Sequence, residues 1–170
     1  ANITNMDKDK FDELGSVVVS LGNKTATTES KIVDMGMRVA AAGSQIGLSE
    51  DQIMAYSAAL SSVGIEAEAG GTSLSKLMVN MQLAAETGKD LNKYAKVAGM
   101  SGSEFKKVFK EDAAGAINAF LKGLKDSEKN GKSAIAVLDE MEIKESQLRD
   151  TLLRASNASE KFEGALENAR

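Results

Sequence analysis

Apolar residues in this chain recur at helical spacing and stop repeatedly at glycine. Ile53, Tyr56, Leu60 and Val63 fall at i, i+3, i+7 and i+10. After an interruption, Leu74, Leu77, Met78 and Met81 fall at i, i+3, i+4 and i+7. Both are one-face helix signatures. Residues 16–21 include three valines, yet they fit a helix through Phe11, Leu14, Val18 and Leu21, and no run alternates as a strand would. None of the 170 residues is proline. Proline is the strongest breaker of helix interiors, so its absence permits an almost wholly helical chain. The expected fold is all-α: an orthogonal or bundle-like array of many helices, open to division into two small helical halves.

Helix ends are written in capping residues. Ser49 followed by Gln52 is a capping box, with Leu48 and Ile53 spaced as its hydrophobic staple. Ser101 and Glu104 repeat the box, with Met100 and Phe105 as the staple. Ser133 follows the Asn130-Gly131 turn and can cap the next helix. Gly22, Gly47, Gly64, Gly88 and Gly99 stand where helices should stop, as expected of a glycine just past a C-terminus. These signals predict helices near 7–21, 28–46, 50–63, 72–87, 91–98, 103–110, 113–126, 133–141 and 145–168. Expected inward stripes are Ala113, Ile117, Phe120, Leu121 and Leu124; then Ile135, Leu138 and Met141; then Leu148, Leu152 and Ala155. Beyond Ala155 only Phe162 and Leu166 are large and apolar, so the last helix is expected to be exposed or frayed.

Charge divides the chain near Gly88–Asp90. Residues 1–88 carry 6 basic and 11 acidic side chains, residues 89–132 carry 10 and 6, and residues 133–170 carry 5 and 8. The expected division is an N-terminal helical half, 1–88, and a C-terminal half, 89–170, with the frayed last helix. The basic middle segment also holds Tyr94, Phe105, Phe109 and Phe120. Basic and aromatic residues together can bind nucleic acid. The preferred reading is a solvated lysine face over buried rings, because the acidic flanks repel phosphates.

The chain contains no cysteine and no histidine. Disulfides, thiol nucleophiles, imidazole bases and the usual zinc sites are thereby excluded. No apolar run approaches the ~20 residues of a membrane helix, so a soluble segment without stable membrane insertion is expected. Glu66 and Glu68 could suggest the paired carboxylates of glycoside hydrolysis. The plainer reading is two exposed acids near the start of a helix beginning at Thr72, where negative charge is favoured. Gly70-Gly71-Thr72-Ser73 could cradle a phosphate at that helix start, but no strand precedes it and no P-loop lysine follows at the right spacing. A tight turn with close backbone approach accounts for it better. No catalytic, cofactor-binding or metal-binding residue is therefore assigned, and neither an enzyme, a cofactor nor a small-molecule substrate is expected.

The wording of the turn from Gly64 to Thr72, Gly-Ile-Glu-Ala-Glu-Ala-Gly-Gly-Thr, resembles the core region of phage tail tape-measure proteins, where a helix ends in a Gly-Ile-x-x-Glu-like turn and restarts after Gly-Gly-Thr or Gly-Thr. The resemblance continues at Leu21-Gly22-Asn23, at residues 27–32, at Arg38-Val39-Ala40-Ala41-Ala42-Gly43, at residues 47–53, and from Val97 through Phe105 into a lysine-rich helix. It runs from about residue 11 to residue 155. It implies a structural region of a tape-measure protein from a long-tailed phage or prophage, with a role in tail-length determination and tail assembly. It implies the virion tail lumen as location, the host cytoplasm during assembly, tail-tube and assembly proteins as partners, and self-association of the parent chain. Nucleic acid is not expected as a partner. Two other classes are consistent with the residues: a generic helical protein-binding module, and a muralytic (peptidoglycan hydrolase) domain of a tape-measure protein.

Overall fold

The structure is a computed structural model that describes residues 29–161 together with 163 and 164. Among the described residues no strand occurs, residues 159–161, 163 and 164 are helical, and eight α-helices before them follow one another with short connections. They are α1 (Glu29–Gln45), α2 (Glu50–Ser62), α3 (Ala67–Thr87), α4 (Leu91–Ala98), α5 (Gly102–Glu111), α6 (Ala113–Asp126), α7 (Ala134–Glu140) and α8 (Ser146–Asn157). A 3₁₀ turn, Ser127–Asn130, joins α6 to the loop before α7. The fold is all-α, as the periodicity predicts and the absence of proline permits. The predicted helix at 7–21, its stop at Gly22, and the exposure of Phe162 and Leu166 lie outside the described residues.

The capping signals act where they were read. The Ser49 hydroxyl accepts the Gln52 N–H at 3.1 Å, and the Gln52 side chain accepts the Ser49 N–H at 3.1 Å, completing the box. Ser101 accepts the Glu104 N–H at 3.2 Å, and Ser133 accepts the Ala136 N–H at 3.1 Å. Asp112 is a further cap that sequence reasoning passed over; its carboxylate accepts the Gly115 N–H at 3.1 Å. Gly47, Gly64, Gly88 and Gly99 all have φ between 77° and 93°, the left-handed conformation of a helix-ending glycine.

Three expectations need correction. The interruption after Gly64 is shorter than read, because α3 begins at Ala67 rather than Thr72. Gly70 and Gly71 therefore lie inside the helix, although each costs about 1 kcal/mol of helix propensity relative to alanine. What excludes a side chain at both positions is the close approach of Ile65, in the loop before α3, and of α1. A methyl on Gly70 would overlap the Ile65 side chain and lie 3.1 Å from Met35 Cε, and one on Gly71 would lie only 2.6 Å from Arg38 Cβ. The stripe of α7 is also rotated: Ala134, Val137 and Leu138 are buried, whereas Ile135 is 54% exposed. Finally, the helix predicted at 145–168 breaks at Ala158, which leaves helical geometry at φ −106° and ψ 15°.

α1 and α3 lie side by side and run in the same direction. Arg38 meets Gly71, its carbonyl accepts the Ser75 hydroxyl at 3.2 Å, and the C-terminal residues Gln45 and Gln82 line one cleft. α2 is the return between them. α4, α5 and α6 pack around an aromatic group, and α8 lies across both α3 and α6. The largest fully buried side chains are Tyr56, Phe105 and Phe120, and the buried apolar residues of all eight helices form one cluster. The Tyr56 hydroxyl, on α2, donates to the Ala114 carbonyl on α6 at 2.9 Å and lies 3.0 Å from the Asn118 side-chain oxygen. This is a polar tie inside an otherwise apolar contact.

Candidate functional surfaces

Glu66 and Glu68 stand two residues apart at the start of α3. Glu66 is the N-cap residue of α3 without a side-chain cap bond, and Glu68 stands in the first turn. Both are exposed, and neither lines the clefts described below. Hydrolysis by a carboxylate pair needs a sugar held between the two groups, with one of them kept protonated by its surroundings. Two exposed acids at a solvated helix start form no cleft that would hold a sugar between them. The phosphate-cradle reading fails for a different reason. The Gly70 N–H already donates to the Glu66 carbonyl at 2.8 Å, so this glycine pair is helix interior and not an open N-terminus. Ser73 Oγ is buried and has no hydrogen-bond partner.

The aromatics of the basic segment are core. Tyr94 stacks on Phe105 at 6.4 Å and tilts against Phe120 at 5.4 Å, and Phe105 stacks on Phe109 at 6.2 Å. All four are at most 5% exposed. They offer no platform on which a base could stack. Burial, with a smaller contribution from the Asp90 charge, pushes the Tyr94 hydroxyl up to about 12. Burial also raises Tyr56 well above the usual phenol range, with Asp112 adding to the shift. Both phenols are thus held neutral, Tyr94 as a packing group and Tyr56 as a hydrogen-bond donor as well.

The lysines of that segment stand around a cleft of about 760 Å³ between α4, α6 and α7. Its floor is Val97, Ala119, Gly123, Val137 and Met141. Gly123 sets the depth of the crossing between α4 and α6, because a methyl there would overlap the Val97 carbonyl and lie 2.7 Å from its carbon. Lys93, Lys96, Lys122 and Lys132 ring the opening, together with Asp126 and Glu140. Lys132 pairs with Glu140, and Lys93 pairs with Asp90 at 3.3 Å. Lys96 and Lys122 are exposed and form no ion pair among the described residues. A second cleft of about 580 Å³ opens where the C-terminal ends of α1 and α3 meet Lys106, Phe109 and Lys110 of α5.

Some surface residues carry more apolar area than a solvated face needs. Val79 and Leu83, one turn apart on α3, are 41% and 50% exposed, and Met37 on α1 is 45% exposed. The signal for Val79 and Leu83 was present in the sequence, since both fall off the Leu74–Met81 stripe. Among the described residues no group of acidic side chains could hold a metal ion, and no helix is long and apolar enough to cross a membrane.

These surfaces describe a helical protein whose exposed features are cationic clefts and apolar ridges, suited to contacts with other proteins. No curated protein and no solved structure matches the chain. The family profile described as phage-related minor tail protein matches residues 1–169, essentially its whole length. The chain belongs to the phage-related minor tail protein family and is a structural component of a phage tail.

Proposed function

We propose that this chain is a helical region of a tail tape-measure protein and acts without catalysis in tail assembly and length determination, inside the tail lumen. The observation that carries the reading is the family match over residues 1–169, combined with the tape-measure-like wording around Gly64–Thr72. The helical construction agrees with a ruler, because a helix converts residue number into length at 1.5 Å per residue. The folded array of short helices supports a compact module that adds its own fixed increment to a length set mostly by longer helices of the parent chain. The solvated placement of Glu66 and Glu68 favours a structural over a muralytic role.

The test is a change of length in the phage itself. An in-frame duplication of residues 1–170 keeps a complete copy of the region in place. As a fully extended helix the added segment would lengthen the tail by roughly 255 Å. If the region stays folded, the gain is smaller but still a single defined increment, read by electron microscopy of assembled tails. Tails of unchanged length that assemble in normal number would refute the measuring role and leave the chain a tail component of another kind.

A further inference from the structure

We propose that the cationic cleft between α4, α6 and α7 receives the exposed acidic and apolar ridge of α1 from a second copy of this chain, in a head-to-tail contact. The two surfaces have opposite chemistry. The cleft offers an apolar floor, Val97, Ala119, Val137 and Met141, beneath the unpaired lysines Lys96 and Lys122. The ridge carries the exposed Met37 and, one turn before it, the half-buried Val33, flanked by Glu29 and Asp34, around a shallow depression of its own. Glu29 is exposed and forms no ion pair among the described residues, while Asp34 shares only a solvated contact with Arg38 at 3.2 Å. Docking would place apolar against apolar and give both free lysines acidic partners.

The same copy cannot make this contact. α1 packs on α2 and α3, whereas the cleft is built from α4, α6 and α7, so ridge and cleft occupy different parts of the fold. A surface that docks on a different surface of an identical partner gives a heterologous contact, which propagates into a ring or an open row instead of closing as a twofold dimer. The charge asymmetry of the chain points the same way, with residues 1–88 net negative and residues 89–132 net positive. A contact of one ridge in one cleft is small, so it belongs with weak, salt-sensitive associations. This inference does not depend on a measuring role.

The experiment is sedimentation velocity on the 170-residue chain across concentrations up to about 0.5 mM, at low and high salt. Average mass should rise with concentration and fall back toward the monomer as salt is added. A cleft variant, Lys96→Glu with Lys122→Glu, and a ridge variant, Glu29→Lys with Asp34→Lys, should each weaken association by about tenfold or more. All four side chains are exposed, and circular dichroism verifies that each variant keeps its helices. The decisive arm is an equimolar mixture of the two variants. Each retains the native surface that the other lacks, so association should return in the mixture although neither variant associates alone. A chain that stays monomeric throughout would overturn the proposal. So would association that survives both variants, or a mixture that stays monomeric.

Discussion

Gly123→Ala should unfold this protein more easily, although glycine-to-alanine changes inside helices are ordinarily favourable. Gly123 lies within α6, where alanine gains about 1 kcal/mol in helix propensity. Opposing that gain, the new methyl would overlap the Val97 carbonyl oxygen and stand 2.7 Å from its carbon. Carbon atoms pack at about 3.5–4.0 Å and the overlapping oxygen is nearer still, so α4 and α6 must separate by more than about 1 Å. Neither side can yield by rotating a side chain, because the obstacle is backbone. Separation loosens the packing of Tyr94 and Ala95 on α4 against Phe120 and Leu124 on α6, all buried. Overpacking of this kind costs about 1–3 kcal/mol, and more where backbone meets backbone. A net loss of about 1–3 kcal/mol after the propensity gain is the expected result. Gly115→Ala, in the same helix, is the control. Its methyl would meet only the carboxylate of Asp112, which is exposed and free to rotate. Losing that cap costs about 1 kcal/mol and the propensity gain offsets it, so this variant should stay within about 0.5 kcal/mol of the parent. Urea unfolding followed by circular dichroism measures both variants, with an unchanged m-value confirming that the same transition is compared. If Gly123→Ala proves as stable as the parent, or more so, the close crossing of α4 and α6 does not exist as described.

Tyr56→Phe should cost about 1 kcal/mol in the same assay, because it removes the hydroxyl that donates to Ala114 and leaves the neighbouring oxygens without it. Ser73→Ala should be neutral or stabilising by about 0.5–1 kcal/mol, since the buried hydroxyl there has no partner to lose and alanine is the better helix former. The two tyrosines give a pH signature. Both phenols are raised in the folded state, Tyr94 from 10.0 to about 12, so the folded protein holds protons that the unfolded chain releases. Stability should therefore be level below about pH 10 and fall between about 10 and 12, with tyrosinate absorbance at pH 10.5 appearing only as the chain unfolds. Glu66→Gln and Glu68→Gln should each change stability by less than about 0.5 kcal/mol, and cell-wall clearing by the parent that either variant abolished would restore the muralytic reading.

The sequence by itself determined the elements and most of their limits. Helical periodicity, the lack of proline, the Ser49, Ser101 and Ser133 caps, and the glycine stops at 47, 64, 88 and 99 are local devices, each satisfied within a few residues of where it is written. Local signals of this kind survive folding unchanged because the backbone groups they satisfy belong to the same turn. The tape-measure-like wording likewise pointed to a phage tail component, the coarser identity that the family match gives. The tertiary structure alone decided what those elements face. Gly70-Gly71 reads locally as a turn, because propensity opposes helix at both positions. Both positions stay glycine inside the helix because neighbours lie too close for a side chain: Ile65 in the loop just before α3 at Gly70, and, written some thirty residues away, Met35 and Arg38 of α1. Ile135 reads as inward because it shares a helical spacing with Leu138, yet the neighbours of a one-turn-long stripe decide its rotation, and they bury Ala134 and Val137 instead. The basic, aromatic segment is the same case on a larger scale: composition placed lysines and rings together, and only packing could separate them, sending the rings into the core and leaving the lysines around a cleft whose floor comes from three different helices.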